Sequence, residues 1–268
     1  MAPARVLTWN LFHGRAVPPA GRPLLHEFAA TLAAWPWDVA LLQEVPPWWP
    51  PLLARAAGAD AVSARTSRNA VLPVRRAIAR RAPDVARSNG GGANAILVRG
   101  GLRVVAHGRR RLRTWPERRV VHAVRLHDPA GGPLDGAWAG DVHAQKGAWD
   151  DGPGLRRPLA DLALSAERLA AWAAADGATR PRPPADPGGA ARPTTGPEGP
   201  PLLLGGDLNL PRSAVEVGLP PGWRRIASSG PDHVVGRGLA AAADSQRPPR
   251  GALSDHAALV VAVRRADG

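Results

Sequence analysis

The stretch LLLGGDLNLP, from Leu202 to Pro211, combines the strongest strand signal of the chain with polar residues at its end. Its three leucines and two glycines predict a buried β-strand over Leu202–Gly206, because a short apolar run with turn residues after it is typical of a central strand. Asp207 and Asn209 follow two positions apart, and the glycines before them would let a phosphate approach the backbone closely. A turn is the alternative interpretation of DLNLP, since Asp and Asn favour turns.

Polar residues stand beside the ends of other predicted strands in the same way. They are Asn10 after RVLTW, Glu44 after DVALLQ, His143 after GAWAGDV, Asp232 before HVV, and Asp255 and His256 before AALVVAV. If these strand ends share one edge, carboxylates, amides and imidazoles converge there. Such a cluster is costly unless a cation neutralises it. Asp, Glu and Asn oxygens suit Mg²⁺ or Mn²⁺, no thiolate is available because the chain has no cysteine, and such an ion would polarise a phosphoryl oxygen.

Short predicted strands alternate with helical stretches. Helical periodicity is clearest over Leu155–Ala175, and Leu24–Trp35 shows it as well. The remaining strands are predicted at Arg5–Trp9, Asp38–Gln43, Ala95–Val98, Arg103–His107, Val120–Leu126, Ala137–His143, His233–Val235 and Ala257–Val263. Hairpin-linked strands with inserted helices favour an α+β fold, in which two mixed sheets pack face to face with helices outside.

Two segments lack such patterns. Residues 60–93 have weak periodicity and many arginines. Residues 177–201 consist mostly of Pro, Gly, Ala and Thr, which predicts a flexible surface loop. Because the strand after this loop completes a pattern begun before it, we expect one domain over residues 1–268.

The positive charge of the chain is unevenly distributed. The 268 residues carry a net charge of +13, and 34 of the 35 basic residues are arginine, which indicates a codon bias as well as any selection for binding. From Arg65 to Arg125 there are 16 arginines and two acidic residues, a net charge of +14. This segregation predicts a phosphate-rich partner and salt-dependent binding. A solvated basic surface without a specific ligand is the alternative.

The sequence also bears on location and assembly. The first residues lead directly into a predicted strand, with no apolar stretch behind a basic head. No apolar run approaches the roughly 20 residues that span a bilayer. We therefore expect a cytoplasmic protein, and we expect a monomer because no motif indicates an obligate protein partner.

An ordered set of motifs resembles the endonuclease/exonuclease/phosphatase superfamily, which includes deoxyribonuclease I-like enzymes. The motifs are TWNL, LLQE, NAILV, DVHAQ, GGDLN, PDHVV and SDHAAL, and they extend from Asn10 to His256 in the order of that family. Each motif alone is weakly specific, but the seven motifs in this order are strongly specific. The resemblance implies a four-layer α/β/β/α sandwich that hydrolyses a phosphoester with a divalent metal ion.

Position by position, the resemblance implies a role for each polar residue. Asn10, Glu44 and Asp255 would form the metal site, with Glu44 as the principal ligand. Asp207 would orient or deprotonate the attacking water. Asn209 would hold this water and the phosphate.

The remaining roles belong to histidines and to candidate phosphate contacts. His256 would contact the scissile phosphate, and Asp232 would fix its ring so that a cationic imidazole stabilises developing charge. His143 would lie near the leaving group, where this chain, which has no tyrosine, offers no other candidate. His13 is open between a substrate contact and a loop residue. The candidate substrate-binding residues are Asn94, Arg118 and Arg119.

These observations favour a metal-dependent phosphodiesterase whose substrate is nucleic acid. A phosphatase or phosphodiesterase acting on a lipid headgroup or a small phosphoester is the first alternative. A binding module without catalysis is the second, although every position of the chemistry is present. A steep loss of activity with rising salt would favour the polyanionic substrate over a small one.

Overall fold

The computed structural model describes residues 2–66, 69–86, 92–147, 152–179 and 199–266. Twelve strands and six α-helices occur in those residues. The strands are β1 (Ala4–Asn10), β2 (Val39–Val45), β3 (Asp60–Arg65), β4 (Ala93–Val98), β5 (Arg103–Arg113), β6 (Arg119–His127), β7 (Trp138–Val142), β8 (Leu202–Asp207), β9 (Arg224–Ser229), β10 (Asp232–Arg237), β11 (Leu239–Ala241) and β12 (Leu259–Arg265). The helices are α1 (Leu25–Ala34), α2 (Pro50–Ala57), α3 (Leu72–Arg81), α4 (Pro83–Ala86), α5 (Gly152–Thr179) and α6 (Arg212–Val215).

The strands form two six-stranded mixed sheets with the same plan. The order is β11-β12-β1-β2-β4-β3 in the first sheet and β5-β6-β7-β8-β10-β9 in the second. Each sheet has one parallel pair at its centre, β1–β2 and β7–β8, and the other pairings are antiparallel. Parallel neighbours need a crossover, which α1 and α5 supply. Because parallel strands end at the same edge, each sheet brings two strand ends together.

Three apolar clusters separate four layers. The cluster between the sheets includes Leu41, Ile96 and Leu203. A second cluster packs α1 and α2 on the first sheet, and a third packs α5 on the second sheet. The structure is therefore the predicted α/β/β/α sandwich with helices outside.

The two glycines of β8 serve packing between elements. A Cβ at Gly206, where φ is +143°, would lie 1.8 Å from the Val142 carbonyl oxygen, and a Cβ at Gly205 would lie 2.6 Å from a methyl of Leu41. Both positions face protein atoms, so the expectation that these glycines admit a phosphate is wrong. They let β8 approach β7 and the facing sheet closely.

The segments without clear patterns differ partly from expectation. The weakly periodic residues 60–93 contain the edge strand β3 and the helices α3 and α4, and α3 has no buried residue. Helix α5 continues to Thr179, so the predicted loop 177–201 begins inside a helix, and its residues 180–198 lie outside the described residues. Within the described part of the chain, no helix is both long enough and apolar enough to cross a membrane.

Candidate active site

Four central strands deliver polar side chains to one edge of the sandwich. Asn10 ends β1, Glu44 lies near the end of β2, His143 follows β7 and Asp207 ends β8. The Asn10 Nδ2 donates a hydrogen bond to Asp207 Oδ2 at 3.0 Å, which joins the two sheets. His143 lies between the carboxylates, with Nε2 3.4 Å from Asp207 Oδ2 and Nδ1 3.9 Å from Glu44 Oε1. The predicted convergence of these strand ends is present in the structure.

A second group of side chains completes this edge. His256 Nδ1 lies 2.8 Å from Asp232 Oδ2, at hydrogen-bonding distance. The other ring nitrogen, Nε2, lies 3.8 Å from Asp207 Oδ2 and 3.9 Å from Asp255 Oδ1. Asp232 is the first residue of β10 and pairs in register with Asp207 of β8. The antiparallel ladder therefore holds the acid that orients His256 beside Asp207.

Asn209 fixes the loop after β8. Its backbone N–H donates to Asp207 Oδ1 at 3.1 Å, and its Nδ2 donates to the Ala144 carbonyl at 3.0 Å. Asp207 thus accepts hydrogen bonds on both oxygens, one from Asn10 and one from Asn209. These bonds set the orientation of the carboxylate.

Left-handed backbone conformations concentrate at this edge. Among the described residues, six non-glycine residues have positive φ: Phe12, His13, Glu44, Val71, Asn209 and Ser254. All except Val71 lie at the strand ends that carry the site or in the loops beside them. Glu44 also lies within a register shift of the β2–β4 pairing between Leu42 and Val45, so a bulge turns its side chain out of the ladder. Strained backbone of this kind is common at functional sites.

Ser254 connects two parts of this edge. Its hydroxyl donates to the Asn10 carbonyl at 2.7 Å and accepts a hydrogen bond from the His256 backbone N–H at 3.0 Å. Trp9 Nε1 in turn donates to the His256 carbonyl at 3.1 Å. The loop that carries His256 is therefore attached to β1.

The protonation of the two histidines differs because their surroundings differ. Burial opposes a charge on His256, but the hydrogen bond to Asp232 and the nearby carboxylates outweigh it and raise its pKa to about 9. Burial and the neighbouring positive charges lower the pKa of His143 well below its ordinary value. Burial raises the pKa of Asp232 to about 7, still below that of His256, so the proton of this pair lies on His256, whereas His143 is neutral near pH 7.

The buried carboxylates fit a hard divalent cation. Burial raises the pKa of Glu44, against the lowering effect of Arg119 and His256, and burial also raises the pKa of Asp207. A divalent cation would supply the counter-charge that this cluster of buried acids needs. Glu44 and Asn10 offer oxygen donors on adjacent strands, and Asp255, whose side chain is 44% exposed, lies at the rim.

A different set of side chains is also close enough to hold an ion. Ligand atoms of Asp207, Asp232 and His256 all lie within 4.8 Å of one another. However, the Nδ1 of His256 is engaged by Asp232, and the raised pKa keeps the ring protonated. Since a protonated imidazole has no lone pair for a metal, His256 is better suited to donate its Nε2–H to a phosphate oxygen.

The predicted substrate contacts are distributed around the site. Arg119 is buried, pairs with Glu117 at 2.6 Å, and its charge lowers the pKa of Glu44 and His143. The Asn94 Nδ2 donates to the Val120 carbonyl at 3.3 Å and so joins the two sheets. Arg118 is exposed, and its guanidinium donates to the Thr66 carbonyl.

His13 contributes to the site more directly than the sequence indicated. Its Nε2 lies 3.0 Å from Glu44 Oε2, in the short turn after β1. The one signal in the sequence is its position three residues after Asn10. Because the contact depends on how β1 and β2 end beside each other, the sequence left its role open.

A buried polar network lies one layer below the site. Gln43 Nε2 donates to Asp141 Oδ1 at 2.8 Å and contacts Thr8 Oγ1 at 3.2 Å. His122 Nε2 lies 3.6 Å from Asp141 Oδ2, and burial lowers the pKa of His122 to about 3 while it raises that of Asp141. Sequence reasoning missed Asp141 and Gln43, although they lie two residues before His143 and one before Glu44.

The layered fold and this edge of carboxylates, amides and imidazoles define a metal-dependent phosphoesterase. A model of the Endonuclease/Exonuclease/phosphatase family matches residues 7–256. The chain therefore belongs to that family, whose members are hydrolases of phosphoesters. No curated protein matches the sequence.

Several solved structures share the fold. A family protein from Beutenbergia cavernae is 17% identical, with a TM-score of 0.64, over 99% of this chain and 72% of that one. A humanised D. rerio TDP2 is 13% identical, with a TM-score of 0.63, over 98% and 100% of the two chains. The human Nocturnin catalytic domain, solved with a bound sulfate anion, is 17% identical, with a TM-score of 0.61, over 99% and 94%. At these identities the likeness concerns the fold.

Proposed function

We propose that this protein hydrolyses phosphodiester bonds of nucleic acid with the aid of Mg²⁺, which Mn²⁺ can replace. One observation carries the proposal: the metal-suited pair Asn10 and Glu44 shares an edge with Asp207 and with the Asp232–His256 pair. A cation site, an acid able to act on water and a fixed cationic imidazole are the parts that this reaction needs.

The metal ion would be held by Glu44 and Asn10, with Asp255 at the rim. When bound, it would polarise a phosphoryl oxygen and screen the charge that develops there. Asp207 would orient the attacking water and take up its proton. The hydrogen bonds from Asn10 to Oδ2 and from the Asn209 backbone to Oδ1 orient the carboxylate.

The histidines would act on the phosphate. His256 is held cationic by Asp232, and its Nε2 would donate a charge-assisted hydrogen bond to a phosphoryl oxygen. Neutral His143 lies between Glu44 and Asp207 and would contact the leaving group side. These residue roles are proposals that the distances support.

The preference for nucleic acid rests on charge. The segment from Arg65 to Arg125 carries +14; within it, Arg118 precedes β6, the strand next to β7, and Arg119 is the first residue of β6. A polyanion gains from such a surface, whereas a small phosphoester does not need it. The monomeric state, the cytoplasmic location and the single domain over residues 1–268 remain predictions from the sequence.

Substitution of the reacting groups tests the proposal. We expect Asp207→Ala and His256→Ala each to lower the rate of hydrolysis of bis-p-nitrophenyl phosphate with Mg²⁺ by about 100-fold or more. The matched controls are Asp60→Ala, at the far end of an edge strand, and His26→Ala, exposed on α1. These controls should retain full activity. Unchanged activity in folded Asp207→Ala would refute the assignment.

A further inference from the structure

A basic groove lies along one open side of the sandwich. Strand β3 is the edge of the first sheet and β5 is the edge of the second, and the two edges lie next to each other. Between them is a cavity of about 710 Å³. Its basic lining, called here the arginine groove, consists of Arg65, Arg109, Arg110, Arg111 and Arg118.

The arginines of this groove lie at the surface, and the Arg118 guanidinium donates to the Thr66 carbonyl. All five are exposed. In the part of the chain that the structure describes, no ion pair involves Arg109, Arg110 or Arg111. Guanidinium groups that line one groove favour an anion between them, and guanidinium matches phosphate oxygens well. The groove is therefore suited to several phosphates.

The groove continues toward the turn between β5 and β6. A second cavity of about 620 Å³ shares Arg65 and Arg118 with the first and is lined further by Thr114, Pro116 and Glu117. Trp115 lies between these lining residues, and 79% of its surface is exposed. An exposed indole beside a row of phosphate-binding groups is suited to stack on a base that is not paired.

The groove also reaches the catalytic edge. Arg118 lines both cavities, and the next residue, Arg119, is near enough to Glu44 and His143 for its charge to act on both. From Arg109 to Arg113 the strand extends about 13 Å, long enough for several nucleotides. A chain whose scissile phosphate lies at Asp207 can therefore continue into the groove.

We propose that the arginine groove binds the backbone of a single-stranded stretch of nucleic acid next to the scissile phosphate, with an unpaired base stacked on Trp115. This inference rests on the proposed function and adds the substrate class, a strand rather than an intact duplex. The competing explanation is that arginines on an edge strand only prevent edge-to-edge pairing of sheets. If that explanation is correct, replacing these arginines leaves the binding of a nucleic-acid strand unchanged.

The groove is tested with the variant R109A/R110A/R111A. Binding of a fluorescein-labelled 12-nucleotide strand, as DNA and as RNA, is measured by anisotropy in EDTA over a series of salt concentrations. We expect binding at least about tenfold weaker and a salt slope lower by about two, because three phosphate contacts are lost. The control is Arg103→Ala, an exposed arginine about 20 to 26 Å away on the same strand. Equal binding by the triple variant and this control would overturn the proposal that the groove binds nucleic acid.

The stacking is tested at Trp115. We expect Trp115→Ala to weaken binding of the single strand by about tenfold and binding of a 12-base-pair duplex much less, while Trp115→Phe keeps most of the affinity. Equal losses for strand and duplex, or no loss at all, would overturn the single-strand assignment. If the triple variant lost binding only to phosphatidylserine vesicles, the groove would be a lipid surface and the proposal would be wrong.

Hydrolysis of bis-p-nitrophenyl phosphate separates this inference from the proposed function. The groove variants should hydrolyse this small diester at the unaltered rate and show a raised KM for the 12-nucleotide strand. A protein that does not hydrolyse the small diester with Mg²⁺ or Mn²⁺ contradicts the proposed function. If the protein hydrolyses the small diester but the triple variant has the same KM for the strand, the groove proposal is wrong and the proposed function is not affected.

Discussion

Each side chain that we propose to react is held by a neighbour from a different part of the chain. Asp207 accepts from Asn10 across the sheets, and His256 is held by Asp232 at 2.8 Å. Partners of this kind fix one orientation of a side chain that would otherwise rotate among several rotamers. The acid behind His256 is the clearest case, because it both positions the ring and keeps it charged.

At this scale we predict the effect of Asp232→Asn. The amide keeps the size of the side chain but removes the negative charge that stabilises the imidazolium. We expect kcat for the generic diester to fall by about 100-fold or more with a small change in KM. Circular dichroism and the urea midpoint serve as controls for folding. A variant with unaltered kcat would show that His256 does not act as a cation.

The protonation state of His122 affects the free energy of unfolding. It is buried, and its pKa is lowered to about 3, whereas an unfolded chain would have an ordinary value near 6.5. As the pH falls below about 6.5 the unfolded state gains a proton that the folded state does not, so this residue lowers the free energy of unfolding in acid.

We therefore predict that His122→Gln makes the protein less sensitive to acid. Between pH 7 and pH 5, we expect the loss in free energy of unfolding to be smaller in the variant by about 2 kcal/mol. Urea unfolding at both pH values measures this difference. Comparison with His26→Ala, which changes an exposed histidine, controls for removal of a histidine as such. An identical pH dependence in His122→Gln and unaltered protein would contradict the assignment.

At the scale of elements, the close approach of β7 and β8 positions His143 beside Asp207. Gly206 permits this approach, because a Cβ there would lie 1.8 Å from the Val142 carbonyl oxygen. The substitution Gly206→Ala also meets a positive φ of 143°. The steric clash and the unfavourable φ both disturb the packing of β7 against β8.

We predict that Gly206→Ala lowers the free energy of unfolding by about 3 kcal/mol or more. The matched control is Gly131→Ala, where φ is also positive at 69° but no atom lies within 4 Å of the added Cβ. That control should cost about 1 kcal/mol. Urea unfolding of both variants is the measurement, and equal losses would show that the β7–β8 contact carries no special constraint.

The elements that sequence predicted well are strands buried on both sides and a helix with one regular buried face. Strands such as β2 and β8 are continuous apolar runs, and α5 has a regular apolar stripe. The edge strand β3 and the helix α3 were missed because one is half exposed and the other buries no residue. Without a buried face, a segment has no hydrophobic period that would reveal it.

Much of the site was also predictable, because its residues stand at strand ends in a recognisable order. What could not be predicted depends on pairing across the chain. The contact of His13 with Glu44 and the network of Gln43 with Asp141 join elements far apart in sequence. The bulge that turns Glu44 outward is likewise a property of how β2 pairs with β4.

At the scale of the whole molecule, two sheets of similar topology bring buried carboxylates together at one edge. These carboxylates need a counter-charge. The burial of Glu44 and Asp207 without a cation is costly, which the raised pKa of each carboxyl reflects. A ligand that binds only the folded state stabilises it, by about 2.7 kcal/mol at 100 times Kd. The metal should therefore stabilise the entire fold.

Thermal unfolding during a titration with Mg²⁺ tests the central claim most directly. We predict that Mg²⁺ raises Tm in the unaltered protein and in Asp232→Asn, that EDTA reverses the rise, and that Glu44→Gln abolishes it. A rise that survives in Glu44→Gln but disappears in Asp232→Asn would place the ion at Asp207, Asp232 and His256. That result, or a Tm that ignores both Mg²⁺ and EDTA, would contradict the account.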